Sequence, residues 1–313
     1  MKNETIKNSS SKKAVSASMS IAVTNGDHAE IGDCMMPRVE GNFDNVPEIN
    51  SAYHFPKETF DVLADIKENI KVFLTGHTGA GKSSLIEQIA ARINQPTIRI
   101  NMTADTSTFD FIGNQMLENG NMLWVDGPLT KAMREGHWLI IDELDCASAS
   151  ILALLNPVLE DNGKLFLKEN RNEVVKPHKN FRLFATGNSV GAMEEFRYLY
   201  PGTNPMNEAL KDRWRIYLME YLPQDIEIKV LIASIPGLDK KSAGVMVGAA
   251  NSIRDSFIKK DLSCSMSTRR LIDWAKMYMR HKDLKMAAER SFYSKVLLQD
   301  RNVIEELLNA SIE

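Results

Sequence analysis

The sequence has few cysteines, no long hydrophobic run and almost no excess of charge of one sign. Cys34, Cys146 and Cys264 form no CxxC pair, which excludes a zinc-ribbon or thiol redox motif. We expect reduced thiols and a cytoplasmic location. No apolar run approaches the roughly 18 residues of a membrane-spanning helix. The net charge of -3 over 313 residues gives no broad field that would attract nucleic acid or an anionic membrane.

The N-terminal segment carries no folding signal of its own. Its first twenty residues are rich in Ser, Lys and Asn and lack the apolar middle region of a secretory signal. We expect a disordered tail and an extended lead-in over residues 1–50, with a basic arm that contacts a partner as the alternative for the tail. An α/β domain is expected over residues 51–222 and a helical lid domain over residues 223–313.

Short apolar segments alternate with helical patterns through the middle of the chain. This alternation predicts a five-stranded parallel sheet with helices on both faces. The predicted strands are Ile70–Leu74, Thr97–Ile100, Trp138–Ile141, Phe181–Ala185 and Ile216–Met219.

A glycine-rich loop lies between the first predicted strand and a helix. The run Gly76-His77-Thr78-Gly79-Ala80-Gly81-Lys82-Ser83 matches the phosphate-loop pattern G-x-x-x-x-G-K-[ST] in full, and Ser84 follows it into the helix. Glycines allow several backbone N–H groups to point at one anion, and the helix adds its positive end. Lys82 can reach the β- and γ-phosphates, and the Ser83 hydroxyl suits Mg²⁺. The pattern predicts binding of ATP with Mg²⁺; a chance glycine-rich turn is the alternative.

A second motif is an apolar strand that ends in two carboxylates, Asp142 and Glu143. Charged residues often end strands, but this pair follows the phosphate loop by about 60 residues, as a magnesium-holding strand does in such proteins. We expect Asp142 to hold Mg²⁺ through water and Glu143 to polarise the attacking water. For the nearby Asp145, a helix-starting role is an equally good interpretation.

Three further polar positions are candidates for the reaction. Asn188, after the fourth strand, is expected to contact the γ-phosphate and the attacking water; a turn-forming Asn is the alternative. Arg213, before the fifth strand, is expected to be an arginine finger that spreads positive charge over the phosphoryl group, with a surface charge as the alternative. Either Arg269 or Arg270 could reach back to the nucleotide from the helical domain, or face solvent.

Two insertions carry no obvious chemistry. The first, Phe111–Leu129, contains several glycines and a Trp124 that we expect to be exposed. The second, Lys164–Val175, alternates apolar and charged residues around a polar turn and predicts a β-hairpin. We expect both to face a ring pore or a partner; decorated surface hairpins are the alternative.

These motifs in this order resemble the AAA+ ATPases, in particular the MoxR-like branch with a hairpin before the fourth strand. A closer resemblance is to the CobS family, the small ATPase subunits of aerobic cobaltochelatase. It covers about residues 33–276 and is carried by the segments Ser84–Asn94, Ile98–Asn101, Phe181–Thr186, Leu199–Thr203 and Asp212–Trp214.

The resemblance implies a P-loop AAA+ core that works as a hexameric ring. It implies that Asn188 is sensor 1, that Arg213 is a finger acting on the neighbouring subunit, and that Arg269 is sensor 2. It also implies a partner with a von Willebrand A domain, similar to the CobT subunit, and insertion of cobalt into a corrin precursor.

The chain departs from the CobS pattern at three places without losing a catalytic group. His77-Thr78-Gly79 replaces an aromatic-His-Gly order, and Thr186-Gly187-Asn188 replaces Thr-Ala-Asn. The helix after Asp145 is also divergent, with a Cys-Ala-Ser-Ala-Ser run. CobS-like ATPases also occur in phages, which the Lys/Asn-rich composition would suit. The alternatives are a MoxR-like remodelling chaperone unrelated to cobalamin and a non-hydrolysing nucleotide-dependent scaffold. A nucleic-acid motor is disfavoured because there is no basic stripe with interleaved aromatics.

Overall fold

The computed structural model describes residues 28–32 and 34–312; the predicted tail over residues 1–20 lies outside them. The strands are β1 (His28–Ile31), β2 (Cys34–Pro37), β3 (Val72–Gly76), β4 (Thr97–Asn101), β5 (Gly113–Glu118), β6 (Asn121–Asp126), β7 (Trp138–Asp142), β8 (Leu165–Leu167), β9 (Glu173–Val175), β10 (Arg182–Gly187) and β11 (Arg215–Met219). The α-helices are α1 (Thr59–Glu68), α2 (Lys82–Arg92), α3 (Thr108–Ile112), α4 (Pro128–Glu135), α5 (Ala149–Leu159), α6 (Glu208–Lys211), α7 (Gln224–Ser234), α8 (Lys240–Ile258), α9 (Thr268–His281), α10 (Leu284–Ser291) and α11 (Leu298–Ile312). Among the described residues, no helix has the length and apolar character needed to cross a membrane.

The centre of the fold is a parallel sheet in the order β11-β3-β10-β7-β4. Phe184 of β10 pairs with Val72 of β3 on one side and with Ile140 of β7 on the other. Every residue of β3 and β7 is buried, because helices cover both faces of the sheet. The predicted five-stranded parallel sheet is confirmed. The first strand starts at Val72 and runs on into Gly76, two residues later than predicted.

Alternate residues of the central strands enter two separate cores. Phe73 packs in one core with residues of α4 and α5, while Val72 and Leu74 pack in the other with residues of α1 and α2. The β1–β2 hairpin covers this second core with the buried side chains of Ala29, Ile31 and Met36. The lead-in is therefore more closely tied to the core than its mixed polarity indicates, because two four-residue strands are too short to show a clear alternation.

The segment from α7 to α11 forms a third core around the fully buried Trp274. Three of its helices begin at a side chain that accepts a hydrogen bond from the third helical N–H: Asp239 before α8, Ser267 before α9 and Asp283 before α10. Such caps satisfy N–H groups that lack a partner inside the helix. The predicted helical character after Pro223 matches these elements, while the exact domain boundary stays a prediction.

Both insertions form antiparallel hairpins, β5–β6 and β8–β9. The expectation that Trp124 is exposed is wrong: the indole is half-buried against the core, and its Nε1 donates to Asp126 Oδ1 at 2.7 Å. Its neighbours on the opposite face of the hairpin stay exposed, since strand side chains alternate between faces.

Candidate functional site

The glycine-rich loop connects β3 to α2 at the carboxyl edge of the sheet. Gly79 takes a left-handed conformation, with φ of 80°, and a Cβ at this position would lie 2.2 Å from the Cβ of Ser267. Only glycine therefore fits both the turn and the close approach of the segment before α9. The loop is thus covered directly by the helical part of the chain.

Lys82, the first residue of α2, is held by three oxygen atoms. Its Nζ donates to the carbonyls of Gly76 at 2.8 Å and His77 at 3.1 Å, and to Asn188 Oδ1 at 2.8 Å. Removal from water lowers the pKa of Lys82 to about 8, and the nearby Asp145 and Asp142 only partly oppose this. The structure thus brings the predicted site residues Lys82 and Asn188 into direct contact.

Asp142 lies at the end of β7 and accepts hydrogen bonds on both carboxylate oxygens. Oδ1 is 2.5 Å from Ser83 Oγ and 2.9 Å from Thr186 Oγ1, and Oδ2 is 2.5 Å from Arg99 Nε. A hydroxyl and a carboxylate side by side at a phosphate loop are the oxygen donors that Mg²⁺ takes together with phosphate oxygens. The residues therefore fit a magnesium ion.

Glu143 follows Asp142 but lies in a different environment. Asp142 is 7% exposed, whereas the Glu143 side chain is exposed and lines the cavity. The Glu143 backbone is left-handed, with φ of 55°, a conformation that costs a non-glycine residue free energy. The turn separates the two carboxylates, so that one is held in the hydrogen-bond network and the other is free to meet a water molecule.

Asp145 holds the loop that carries Asn188. The carboxylate is 1% exposed, and its Oδ2 accepts from the N–H of Asn188 at 2.8 Å and from the N–H and hydroxyl of Ser189 at 2.9 and 3.0 Å. A helix-starting role does not account for these bonds, because they join residues more than 40 positions apart. Asp145 positions Asn188 instead.

These groups surround a cavity of about 840 Å³ at the carboxyl edge of the sheet. The cavity is also lined by residues 52–54, by the connection between β11 and α7, and by α9. Of the two arginines at the start of α9, Arg269 lines the cavity, whereas Arg270 donates to the Ser265 carbonyl at 2.8 Å. The geometry therefore selects Arg269 as the arginine that faces the site.

Three predicted site residues do not line this cavity: Gly76 and His77 of the loop, and Arg213. Arg213 precedes β11, whose other end, Met219, pairs with Gly76 of the loop. Its Nε and Nη2 donate to Glu160 Oε1 at 2.8 and 2.7 Å. Arg213 thus contributes nothing to the nucleotide site of its own chain.

Two site residues escaped the sequence analysis. Arg99 of β4 is bonded to Asp142 and to Glu87 of α2, with a separation of 3.0 Å between Arg99 Nη1 and Glu87 Oε1. A charged residue inside an apolar strand is the signal that could have found it. Tyr221 donates its hydroxyl to the Thr78 carbonyl at 2.8 Å, and nothing in its local sequence indicates this contact.

Comparisons with known proteins show the family to which this chain belongs. Residues 71–214 match the family model of the AAA domain (dynein-related subfamily), and residues 227–311 match the CbbQ/NirQ/NorQ C-terminal model. The chain is 35% identical over 271 residues to the aerobic cobaltochelatase subunit CobS of Sinorhizobium sp, which covers 83% of this chain and 81% of that protein. The chain belongs to the CobS family of AAA+ ATPases. The predicted MoxR-like AAA+ relationship is confirmed, and this CobS-family member is an ATP-hydrolysing enzyme.

Other relatives of this CobS-family chain differ in the length of sequence over which they match it. The uncharacterized protein YojN of Bacillus subtilis is 30% identical over 252 residues, which is 74% of this chain and 80% of that protein. Midasin of Dictyostelium discoideum is 35% identical over 155 residues, which is 49% of this chain but only 2% of midasin. The match to midasin therefore concerns one segment of a far larger protein.

Proposed function

We propose that this CobS-family ATPase assembles into a ring, of which a hexamer is the expected form, and that ATP hydrolysis in the ring remodels a partner protein with a von Willebrand A domain. The observation that supports a ring is the position of Arg213, which lies at the opposite end of β11 from the phosphate loop of its own chain. An arginine finger in that place can serve only the site of a neighbouring subunit. A cytoplasmic location is part of the proposal, and the three unpaired cysteines agree with it.

The polar residues of the phosphate loop and its surroundings have distinct parts in the proposed reaction. The loop N–H groups and Lys82 bind the phosphates, and Asn188 orients the attacking water beside them. Glu143 accepts the proton of that water as it attacks. Mg²⁺, when bound by Ser83 and Asp142, would neutralise charge on the phosphate oxygens. Arg269 adds positive charge from α9.

The two hairpins support contact with a partner. They are joined by a hydrogen bond of 2.9 Å from Gln115 Nε2 to the Glu169 carbonyl. Both carry exposed apolar side chains: Met116, Leu117, Met122, Leu123 and Val125 on the first, and Phe166 and Val174 on the second. Exposed apolar patches commonly mark sites of protein contact.

Cobalt insertion into a corrin precursor is a second candidate, favoured by the 35% identity to the cobaltochelatase subunit CobS. The residues of the nucleotide site account for ATP hydrolysis and do not indicate which metal would be inserted. A MoxR-like remodelling role unrelated to cobalamin would use the same site. A non-hydrolysing scaffold is disfavoured by the exposed Glu143 at the cavity.

The test of the ring is ATP turnover per subunit over a wide range of protein concentration, with molecular mass measured by light scattering in parallel. We expect turnover and mass to rise together as rings form. Constant turnover by a monomeric chain would overturn the ring. Addition of a von Willebrand A partner and a corrin precursor, with cobalt uptake followed by absorbance, then separates insertion from remodelling: turnover stimulated without cobalt uptake favours remodelling.

A further inference from the structure

Tyr221 lies between the phosphate loop and the helical part, in the connection from β11 to α7. Its hydroxyl is 2.8 Å from the carbonyl oxygen of Thr78 and 3.2 Å from Oγ of Ser265. A single side chain therefore contacts both the loop and the segment that leads into α9.

The contact with Thr78 fixes the orientation of the next peptide group. In a planar trans peptide, the carbonyl and the following N–H point in opposite directions. With its oxygen held by Tyr221, the Thr78 peptide directs the N–H of Gly79 away from Tyr221. Phosphate loops bind anions through such N–H groups, and Gly79 lines the cavity. The Tyr221 hydroxyl thus sets the direction of one anion-binding group.

The ring of Tyr221 is itself held in place by Arg254. The guanidinium carbon of Arg254 lies 4.0 Å from the ring centroid, a cation–π contact. Arg254 is 3% exposed and forms a two-point ion pair with the fully buried Glu227, with distances of 2.7 and 2.8 Å. Because a paired, buried guanidinium has little freedom to move, the ring has a fixed position.

The same ion pair holds the segment that carries Arg269. Arg254 Nε donates to the Met266 carbonyl at 2.7 Å, and the Thr268 hydroxyl donates to Glu227 Oε1 at 2.9 Å. Thr268 and Arg269 are the first two residues of α9. The Arg254–Glu227 ion pair therefore contacts both the Tyr221 ring and the backbone segment that carries Arg269.

We propose that Tyr221 is a positioning residue that couples the phosphate loop to the start of α9. The proposal rests on the nucleotide site proposed above and adds a residue that acts through Gly79 and Arg269 rather than on the phosphates. Phosphates that order the Gly79 N–H also hold the Thr78 carbonyl, the Tyr221 hydroxyl and, through Arg254, the segment before Arg269. Phosphate binding at the loop and the placement of Arg269 are then coupled.

The test compares Tyr221→Phe with Tyr278→Phe. Tyr221→Phe keeps the ring and removes only the hydroxyl; Tyr278→Phe removes a hydroxyl that accepts from Ser242 Oγ at 2.9 Å inside the helical part. We expect Tyr221→Phe to weaken ATP binding about three- to tenfold, the range expected for one hydrogen bond. Its thermal midpoint should match that of Tyr278→Phe, which should bind ATP as the wild type does.

The outcomes separate this proposal from the nucleotide site itself. If the wild type binds ATP and Tyr221→Phe binds it equally well, the positioning role is overturned while the site stands. If the wild type does not bind ATP, both are overturned. A fall in thermal midpoint that accounts for the lost binding, without a change in that of Tyr278→Phe, would reduce Tyr221 to a structural role and also overturn the proposal.

A double-mutant cycle tests the coupling to Arg269. The loss of kcat/KM caused by Tyr221→Phe is measured in the wild type and in Arg269→Ala. We expect the loss to be at least about twofold smaller without Arg269, since interacting residues give non-additive effects. Equal losses in both backgrounds would show that Tyr221 acts on the loop alone and would overturn the coupling.

Discussion

Arg99 Nε lies 2.5 Å from Oδ2 of Asp142, the carboxylate oxygen that Ser83 and Thr186 leave free. The arginine is also paired with Glu87, and its side chain is 44% exposed. A cation in this place opposes the binding of a second cation to the same carboxylate. We therefore expect Arg99 to weaken the attraction of the site for Mg²⁺.

Arg99→Gln should lower the Mg²⁺ concentration that gives half-maximal ATP turnover by about two- to tenfold, because it removes one positive charge beside Asp142. The measurement is a Mg²⁺ titration at fixed ATP. Arg134→Gln is the matched control, because Arg134 also pairs with two carboxylates, those of Asp126 and Glu173, outside the cavity. A higher Mg²⁺ requirement for Arg99→Gln would mean that Arg99 orients Asp142 rather than competing with the metal.

Asp145→Ala should impair both folding and turnover. The substitution leaves three donors of Asn188 and Ser189 without their acceptor, and we expect a loss of about 2–4 kcal/mol in the free energy of unfolding. Displacement of Asn188 from Lys82 should also lower kcat. The stability and kcat of Asp145→Asn should lie between those of Asp145→Ala and the wild type, since an amide oxygen still accepts hydrogen bonds.

Asp283→Ala is the control for Asp145, because Asp283 accepts one bond at the exposed start of α10. It should cost about 1 kcal/mol and leave turnover unchanged. Equal effects of the two substitutions on stability and kcat would contradict a positioning role for Asp145. Chemical denaturation and steady-state turnover are the measurements.

Gly187→Ala should be destabilising, although alanine is usual at this position in the CobS pattern. A Cβ here would lie 2.9 Å from Cζ of Phe73 and 3.0 Å from Cγ of Asp145, both buried. We expect a loss of about 1–3 kcal/mol from this overpacking, measured by chemical denaturation. Gly248→Ala is the control, since a Cβ on Gly248 of α8 meets no atom within 4 Å. A neutral Gly187→Ala would show that Asp145 can shift without loss.

The parts of the site that the sequence predicted lie in short contiguous motifs. The loop, Asp142 and Glu143 each follow directly from a strand whose apolar pattern is visible, and parallel strands necessarily end at one edge. Asn188 could be placed for the same reason.

The residues that the sequence missed depend on contacts between distant segments. Arg99 and Asp142 meet only because β4 lies next to β7, and Tyr221 meets Thr78 only because of how the connection to α7 turns back. The local sequence at Asp145 is typical of a helix start. Its true partners could not be found from that local pattern, because they are more than 40 residues away. Local periodicity contains no information on such pairs, so packing had to reveal them.

His77 should make the stability of the protein sensitive to acid. Burial and the nearby Lys82 lower the pKa of His77 below its ordinary 6.5, and the ring lies among Tyr200, Tyr221 and Phe257. The unfolded chain binds a proton at a higher pH than the folded chain does. Stability from this residue is therefore complete above pH 6.5 and is lost as the pH falls from 6.5 toward the lower pKa of the folded state.

The comparison of wild type and His77→Gln isolates this effect. The thermal midpoint should fall more from pH 7.5 to pH 5.5 in the wild type than in His77→Gln. The glutamine side chain can still form a hydrogen bond with Tyr200. The pKa values of His54 and His137 are also lowered by burial, but both residues are present in both proteins and cancel in the difference. Identical acid sensitivity of the two proteins would show that His77 protonates without cost.

Arg213 and Glu143 should complement each other between subunits. Arg213→Ala and Glu143→Gln should each lose most ATP turnover, the first because the finger is gone and the second because ATP binds but is not hydrolysed. A finger of this type is worth about 10³–10⁵ in rate. In rings mixed from equal amounts of the two variants, a subunit with Glu143 often meets a neighbour with Arg213. Random mixing should restore about a quarter of wild-type turnover, because each site needs one subunit of either kind in a fixed order.

Glu160→Gln separates this role from a structural one. Glu160 is the carboxylate that holds Arg213 within the chain, with two N–O distances of 2.8 and 2.7 Å. If Arg213 acts only through that ion pair, Glu160→Gln will lose turnover as Arg213→Ala does, and mixed rings will stay inactive. If Arg213 serves the neighbouring site, Glu160→Gln will keep most of its turnover and mixing will restore activity. Because the ion pair is at the surface, its loss should cost less than about 1 kcal/mol of stability, so misfolding does not obscure the comparison.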